Sequence, residues 1–284
     1  DQLFGDAGDD QLYGNSGMDT VDGGEGDDVI QVRENDSEVD SIQGGTDTDT
    51  LEVLGNWVRF NQFDAGASSI EIFAASTKAV HGNGGANTLD FADLTDVQGS
   101  PLGAGKGLRI NAEAGADQVT GSLKDDEING GTEADAVSGG GGNDTLTAGS
   151  GDDTLVGGLG SDTLTGGDGN DVFLYEAVEY YPESTTEVMY NVTDFGTDLI
   201  KDFSEDDIIR IAGADFDNHT AVAGNGTNVL TDTMQVSYDS GTDKTTLYID
   251  TDGINGADLV VKLDGEFEAT DFLMSGRAEK RRVG

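Results

Sequence analysis

The sequence has no cysteine, two prolines, two histidines and one tryptophan in 284 residues. Without cysteine there is no disulfide framework, so a chain working outside the cell needs another staple, and a bound metal can serve. His81 and His219 lie far apart, and neither belongs to an H-E-x-x-H zinc motif. The serine-hydrolase pattern G-x-S-x-G and the phosphate-loop pattern G-x-x-x-x-G-K-[ST] are both missing, and no catalytic constellation is expected in this chain. Basic residues are scarce, 14 against 57 acidic ones, for a net charge of −43. That balance excludes nucleic acid, whose phosphates need Lys/Arg surfaces, and it argues against anionic membranes. No apolar run of about 18 residues occurs, so no membrane insertion is expected. No signal-peptide pattern of positive start and apolar stretch is visible. The opening DQLFGDAGDD already lies inside a repeat, which reads as a cut through a longer protein.

What the chain has in abundance is glycine and aspartate in fixed register. From Ala112 to Leu174 it reads AEAGADQVT, GSLKDDEIN, GGTEADAVS, GGGGNDTLT, AGSGDDTLV, GGLGSDTLT and GGDGNDVFL. The sixth residue of each block is Asp117, Asp126, Asp135, Asp144, Asp153, Asp162 and Asp171. The eighth is always apolar: Val119, Ile128, Val137, Leu146, Leu155, Leu164 and Phe173. Glycines permit left-handed backbone that a Cβ would oppose, and they let carbonyl oxygens crowd one point. Calcium takes roughly six to eight oxygens, so carbonyls with a carboxylate suit it. The tail of each block reads as a short strand with its middle side chain turned inward. Three further blocks, GDAGDDQLY, GNSGMDTVD and GGEGDDVIQ, carry Asp10, Asp19 and Asp28 with Leu12, Val21 and Ile30. After a slip of three residues, NDSEVDSIQ keeps Asp40 and Ile42, and GGTDTDTLE keeps Asp49 and Leu51 with Asp47 at the fourth position. A disordered Gly/Asp-rich linker is the alternative, since high charge and few aromatics favour disorder. Random low complexity would not hold Asp and an aliphatic in step.

The blocks match G-G-x-G-x-D-x-U-x, and the chain resembles the RTX (repeats-in-toxin) family of hemolysin-type calcium-binding proteins. The resemblance implies an all-β fold, a right-handed parallel β-roll or β-helix solenoid in which two repeats complete a coil. Repeats n and n+2 then stack, with calcium ions between their turns. One edge would hold Asp117, Asp135, Asp153 and Asp171, and the opposite edge Asp126, Asp144 and Asp162. The glycines Gly139, Gly142, Gly157, Gly160, Gly166 and Gly169 would shape the best-formed turns, and Asp10 and Asp28 would flank one ion. Two turns depart from the pattern, with Lys124 and Glu133 at the fourth position. They are expected to bind calcium weakly or to hold another shape, and glycine at Lys124 is expected to raise affinity.

The division that follows is an N-terminal roll over 1–53, a metal-poor β-helix-like connector over 54–110, the main roll over 111–174, a capping β unit over 175–274 and a basic tail over 275–284. In the connector Trp57, Phe60 and Phe63 precede the alternating run SIEIFA around Ile70 and Ile72, which reads as strand. GNGGANTLD places Asn87 where Asp should be. An inserted globular module is the other reading of this region. Its aromatics suit a buried core that replaces metal sites better than a sugar surface. Asp198–Ile211, DLIKDFSEDDIIRI, and the stretch ending at Asp271–Met274 resemble the units that follow RTX arrays in serralysin-type proteases and alginate epimerase modules. A cap makes physical sense, because a solenoid's last coil exposes apolar surface and sheet edges. Asp250, Asp252, Asn255 and Asp258 place oxygens as an extra calcium loop or a plain acidic turn. The ending SGRAEKRRVG is basic, unlike most type I secretion signals, and reads as a flexible tail, a processing site or a non-native remnant.

Several calcium ions are thus the expected cofactor. The expected function is a module that folds on extracellular calcium at the C-terminal end of a larger protein that is secreted or held at the cell surface. A type I secretion channel and an upstream catalytic or adhesive domain are the candidate partners. The alternatives are an accessory module of an extracellular protease, lipase or polysaccharide epimerase, or a segment of a surface adhesin. Ice binding is discounted, because the third position of the blocks is too irregular for a flat Thr/Asn array.

Overall fold

A nine-residue unit of one turn and one strand cannot bury its apolar side chain alone, and stacking is what gives it a core. The computed structural model describes residues 1–14, 19–33, 41–54, 57–60, 62–74, 79–98, 100, 102–176, 178–180, 189–191, 196–204, 207–212, 220–223, 233–249, 259–267, 272–274 and 278–280. It is a parallel β-solenoid, with little helix among the described residues. In the main roll Glu127–Thr132, Thr145–Ser150 and Thr163–Asp168 stack along one side. Gln118–Thr120, Ala136–Gly141, Thr154–Leu159 and Val172–Glu176 stack along the other. The register repeats two blocks at a time, with Ile128 beside Leu146 beside Leu164, and Val119 beside Val137 beside Leu155 beside Phe173. These eighth-position side chains point inward and are buried, which gives the roll its interior. Each contributes about 1.5–3 kcal/mol of apolar burial.

The N-terminal roll is built the same way. Gln2–Phe4, Thr20–Glu25 and Ser41–Thr46 stack on one side. Gln11–Tyr13, Val29–Arg33 and Thr50–Leu54 stack on the other. Between the rolls each coil has three strands rather than two. Trp57–Arg59, Gln62–Asp64 and Ile72–Ala74 are followed by Ala79–His81, Thr88–Asp90 and Asp96–Gln98 directly above them. The first two of these files run on into the main roll, and the third stacks on the N-terminal one. The wider cross-section is filled by rings. Phe63 stacks on Phe60 and on Phe91, each pair 5.0 Å between centroids, and Phe73 meets Phe91 edge-on at 5.8 Å. These four phenylalanines are buried.

One local expectation is corrected. SIEIFA is not a strand through Ile70: the residues Ala65–Ser68 form a helical turn, Ser69 holds a φ of +50°, and the strand begins at Ile72. Phe73, not Ile72, therefore faces the core. The helical turn packs on Ser41–Thr46, where the next strand of that file would otherwise lie.

Beyond the last nonapeptide, Thr197–Ile200 and Ile208–Ala212 add one more parallel strand to each side. Leu259–Asp264 pairs in parallel with Thr197–Ile200, after which Lys244–Ile249 and Thr233–Asp239 join antiparallel. Reversing strand direction ends the repeat, and Phe203 closes the apolar end between Phe173 and Phe267. Among the described residues, no helix is long and apolar enough to cross a membrane.

Candidate functional site

The turns are where the chemistry collects. In the block that starts at Gly139, the second and fourth residues, Gly140 and Gly142, hold φ of +95° and +114°. L side chains rarely adopt that region. Gly139 itself makes room, since a Cβ there would strike both Asp144 Oδ2 and the Gly157 carbonyl of the turn above. The equivalent Gly130 would meet Asp135 Oδ2 at 2.6 Å and the Ala148 carbonyl at 2.7 Å. Gly157 and Gly166 likewise leave space for Asp162 and Asp171, and Gly160 and Gly169 hold φ of +116° and +147° at the fourth position.

The sixth-position aspartate then repeats one bond from coil to coil. Its Oδ1 accepts the backbone N–H of the aspartate one coil earlier: Asp117 to Asp135, Asp135 to Asp153 and Asp126 to Asp144 at 2.8, 2.8 and 2.7 Å. Asp144 to Asp162 and Asp153 to Asp171 follow at 2.8 and 3.0 Å. In the N-terminal roll Asp10 donates to Asp28 and Asp28 to Asp49, at 2.8 and 2.9 Å. Asp19 is buried with the chain's amino terminus on its Oδ1 at 2.6 Å.

The second carboxylate oxygen is different. Oδ2 of Asp10, Asp28, Asp49, Asp117, Asp135, Asp144, Asp153, Asp162 and Asp171 is buried with no hydrogen-bond donor. A buried carboxylate left in this way costs several kcal/mol unless a cation or a proton answers it. Burial is the main cause that pushes the carboxyl of Asp144 up to about 8 and that of Asp135 up to about 7, and the aspartates directly above and below add to it. Burial likewise raises Asp198 to about 7, and Asp162 and Asp171 to about 6. At Asp144 and Asp135 the orphan oxygen and a carbonyl oxygen of the next coil both crowd the space beside the block's first glycine, two acceptors with no donor at the carboxylate. A hard cation with oxygen ligands fits there. Among the described residues no group of three or more Asp, Glu or His side chains gathers to hold an ion by itself, so backbone carbonyls must supply the other ligands.

Two rungs solve the problem without a cation. At Asn87 an amide nitrogen stands where the other rungs have Oδ2. It lies 2.8 Å from the Gly85 carbonyl, 3.0 Å from that of Ala112 and 3.3 Å from that of Asn83. Its Oδ1 accepts the Asn83 N–H at 3.0 Å, which fixes the orientation of the amide. The same carbonyls that would surround a cation thus meet an N–H group. At Asp126 the second oxygen is taken by the Ser122 N–H at 2.7 Å and its hydroxyl at 3.0 Å. Of the two main-roll turns that lack the fourth glycine, Glu133 still holds the left-handed conformation, φ +73°, whereas Lys124 does not. The Lys124 ammonium pairs instead with Asp96.

The fifth position carries a second ladder that sequence reasoning missed. Asp125, Asn143 and Ser161 accept the backbone N–H of Asn143, Ser161 and Thr197, at 3.0, 2.8 and 2.9 Å. Asp152 does so for Asn170 at 2.9 Å, and Asp27 for Thr48 at 3.0 Å. These bonds run opposite to the aspartate ladder, so adjacent residues tie each turn to the coil on either side. The recurrent short oxygen-bearing side chains at that position were the available signal.

Two further rungs lie in the cap. Asp162 N–H donates to Asp198 and Asp171 N–H to Asp207, each at 2.9 Å. Asp-x-aliphatic recurs there as Asp198, Ile200 and Asp207, Ile209, without the glycines. Asp202 accepts from Gly166 and Gly167 at 3.0 and 2.8 Å and so seals the last nonapeptide turn. Asp40, His219, Asp250, Asp252, Asn255 and Asp258 lie outside the described residues. His81 Nδ1 sits 2.8 Å from Glu113 on the solenoid surface.

Comparison with known proteins places this geometry. The family model of the RTX calcium-binding nonapeptide repeat matches in four copies over residues 1–30, 111–146 and 147–177, and those segments are RTX repeats. The comparison with curated proteins gave no match. Among solved structures, the solution structure of the AlgE6R3 subunit from the Azotobacter vinelandii mannuronan C5-epimerase is 28% identical, over 50% of this chain and 71% of that one, with a TM-score of 0.34.

Proposed function

We propose that this chain, which carries RTX calcium-binding repeats, is a module that folds on calcium outside the cell and forms the C-terminal, secretion-associated part of a larger secreted protein. The observation that carries the reading is the file of buried carboxylate Oδ2 atoms without donors, repeated from rung to rung along each roll. With the ions absent, stacked carboxylates repel one another and lie buried at the same time. With them present, carboxylate and carbonyl oxygens share a cation, and binding free energy becomes folding free energy. Asp117, Asp135, Asp144, Asp153, Asp162 and Asp171 would hold the ions in the main roll, and Asp10 and Asp28 in the N-terminal one. Calcium supplies charge neutralisation there; the chain supplies the carbonyls, the ladder bonds and the apolar interior. A chain exported unfolded through a narrow channel at low calcium would order on reaching millimolar calcium.

The resemblance of Asp198–Ile211 to the unit that follows RTX arrays in serralysin-type proteases and alginate epimerase modules favours a parent protein whose catalysis lies upstream. The test is far-UV circular dichroism with size exclusion, in excess chelator and then at about 10 mM calcium, above the weak extracellular class of sites. A cooperative gain of β signal with compaction is expected. A chain equally folded in chelator would sink the reading.

A further inference from the structure

At the seam between the N-terminal roll and the three-stranded coils, Asp49 is the sixth-position aspartate of GGTDTDTLE, the last block before the repeat breaks off. Asp49 is fully buried and lies outside the matched RTX segments. Its Oδ1 accepts the Asp28 N–H at 2.9 Å, as a rung aspartate should. No nonapeptide stands above it. Its own N–H donates at 2.8 Å to Glu71 Oε2, a glutamate in the place of the next rung's aspartate. Its Oδ2 has no donor.

The carbonyl of Ser69 comes into the same space as that oxygen. A Cβ on Gly44 would strike both Asp49 Oδ2 and the Ser69 oxygen, just as one on Gly139 would strike Asp144 Oδ2 and the Gly157 carbonyl. Ser69 is brought there by the helical turn Ala65–Ser68 and by its φ of +50°. Below, Gly45 and Asp47 hold φ of +125° and +83°, the left-handed second and fourth positions of a formed turn. Asp47 keeps that conformation although it has a Cβ, at a cost in backbone strain. The metal-free rung gives the comparison. There Gly82 would strike Asn87 Nδ2 and the Ala112 carbonyl, and the amide reaches the carbonyls of the second and fourth residues as well.

We infer that Asp49 Oδ2, the Ser69 carbonyl and the turn Gly44–Asp47 form a calcium site of a hybrid kind, with a nonapeptide turn on one side and a helical turn on the other. This rests on the calcium reading of the rolls. The site locks the Ala65–Ser68 turn onto the N-terminal roll, and with it the strand Ile72–Ala74 that follows.

The experiment counts calcium ions per full-length chain by equilibrium dialysis and calorimetric titration, for the wild type, Asp49→Asn and Asp153→Asn. Asp49→Asn places an amide against Ser69 as Asn87 does against Ala112, so the variant is expected to fold with one ion fewer. Asp153→Asn is expected to lose ions from the main roll. If Asp153→Asn loses ions and a folded Asp49→Asn loses none, the hybrid site is wrong and the calcium reading stands. If neither loses any, the calcium reading itself fails. Should Asp49→Asn not fold, anomalous scattering from wild-type crystals grown in calcium decides: a calcium peak between Asp49 and Ser69 is expected, and its absence beside occupied sites in the main roll overturns the inference.

Discussion

Asn87 and Asp117 meet twice across one coil: the Asn87 backbone N–H lies 2.6 Å from Asp117 Oδ1, and its side-chain nitrogen lies 2.8 Å from the same oxygen. The first bond is the ladder bond that joins the aspartate rungs of the rolls. The second exists because Asn87 carries a donor where the other rungs carry a second acceptor. One atom thus separates a rung satisfied within the protein from a rung that leaves an oxygen to be answered by a cation.

Asn87→Asp should therefore turn a metal-independent rung into a calcium-dependent one. In chelator the new oxygen would face the carbonyls of Asn83, Gly85 and Ala112 with nothing to donate, a loss of about 1–3 kcal/mol. In calcium the loss should be recovered and one more ion bound. Denaturant melts in the two conditions check this, and equal destabilisation in both would show that these carbonyls do not form a cation cage.

Asp153 joins two rungs, accepting from Asp135 at 2.8 Å and donating to Asp171 at 3.0 Å. Asp153→Ala leaves the buried Asp135 N–H without an acceptor, worth about 1–3 kcal/mol. It also removes a carboxylate from the middle of its edge. Calorimetric titration should show two neighbouring sites weakened together. A single site lost would mean that the turns along this edge hold their ions independently.

The Asp126 turn changes an expectation drawn from the sequence. Glycine at Lys124 alone should not create a better site, because Ser122 still satisfies Asp126 Oδ2. The double change Ser122→Gly with Lys124→Gly should remove the hydroxyl and let residues 122 and 124 take the left-handed conformation of Gly140 and Gly142, which turns the residue-122 N–H away from that oxygen and adds an ion; neither single change should. A gain from Lys124→Gly alone, read by ion count, would show that the turn shape rather than the serine closes this site.

The architecture was legible because Asp and an aliphatic recur at fixed positions, and a period of nine with inward Leu146, Leu155 and Leu164 leaves little freedom in register. The asparagine at residue 87 was visible too, but not that its amide replaces a cation, since that depends on the carbonyl of Ala112 brought in from the next coil. Asp198 and Asp207 were hidden because 36 residues separate them from the rungs they stand on, twice the spacing within the roll. The Ala65–Ser68 turn was hidden by an alternation of apolar residues that suits a strand but whose Ile70 is buried beside a helical turn. Local pattern gives rungs; the partner of each rung is a property of the stack.

Acid should stabilise the metal-free fold and destabilise the calcium-bound one. The carboxyls of Asp135, Asp144 and Asp198 stand at about 7, 8 and 7 in the fold against 3.8 for an ordinary aspartate. Between those limits the folded chain holds protons that the unfolded chain has released, so metal-free stability falls as pH rises. The contribution is fully present below the unfolded value of 3.8 and is lost as pH climbs through about 6 to 8, where Asp162 and Asp171 and then the more strongly raised groups ionise. The net charge of −43 works in the same direction, because protonation relieves repulsion. Calcium reverses the sign, since its ligands must be ionised and protons compete for the same oxygens. Thermal melts between about pH 5 and pH 8 should slope down with pH in chelator and up with pH in saturating calcium. If the two slopes ran together, the orphan oxygens would not be where calcium and protons compete.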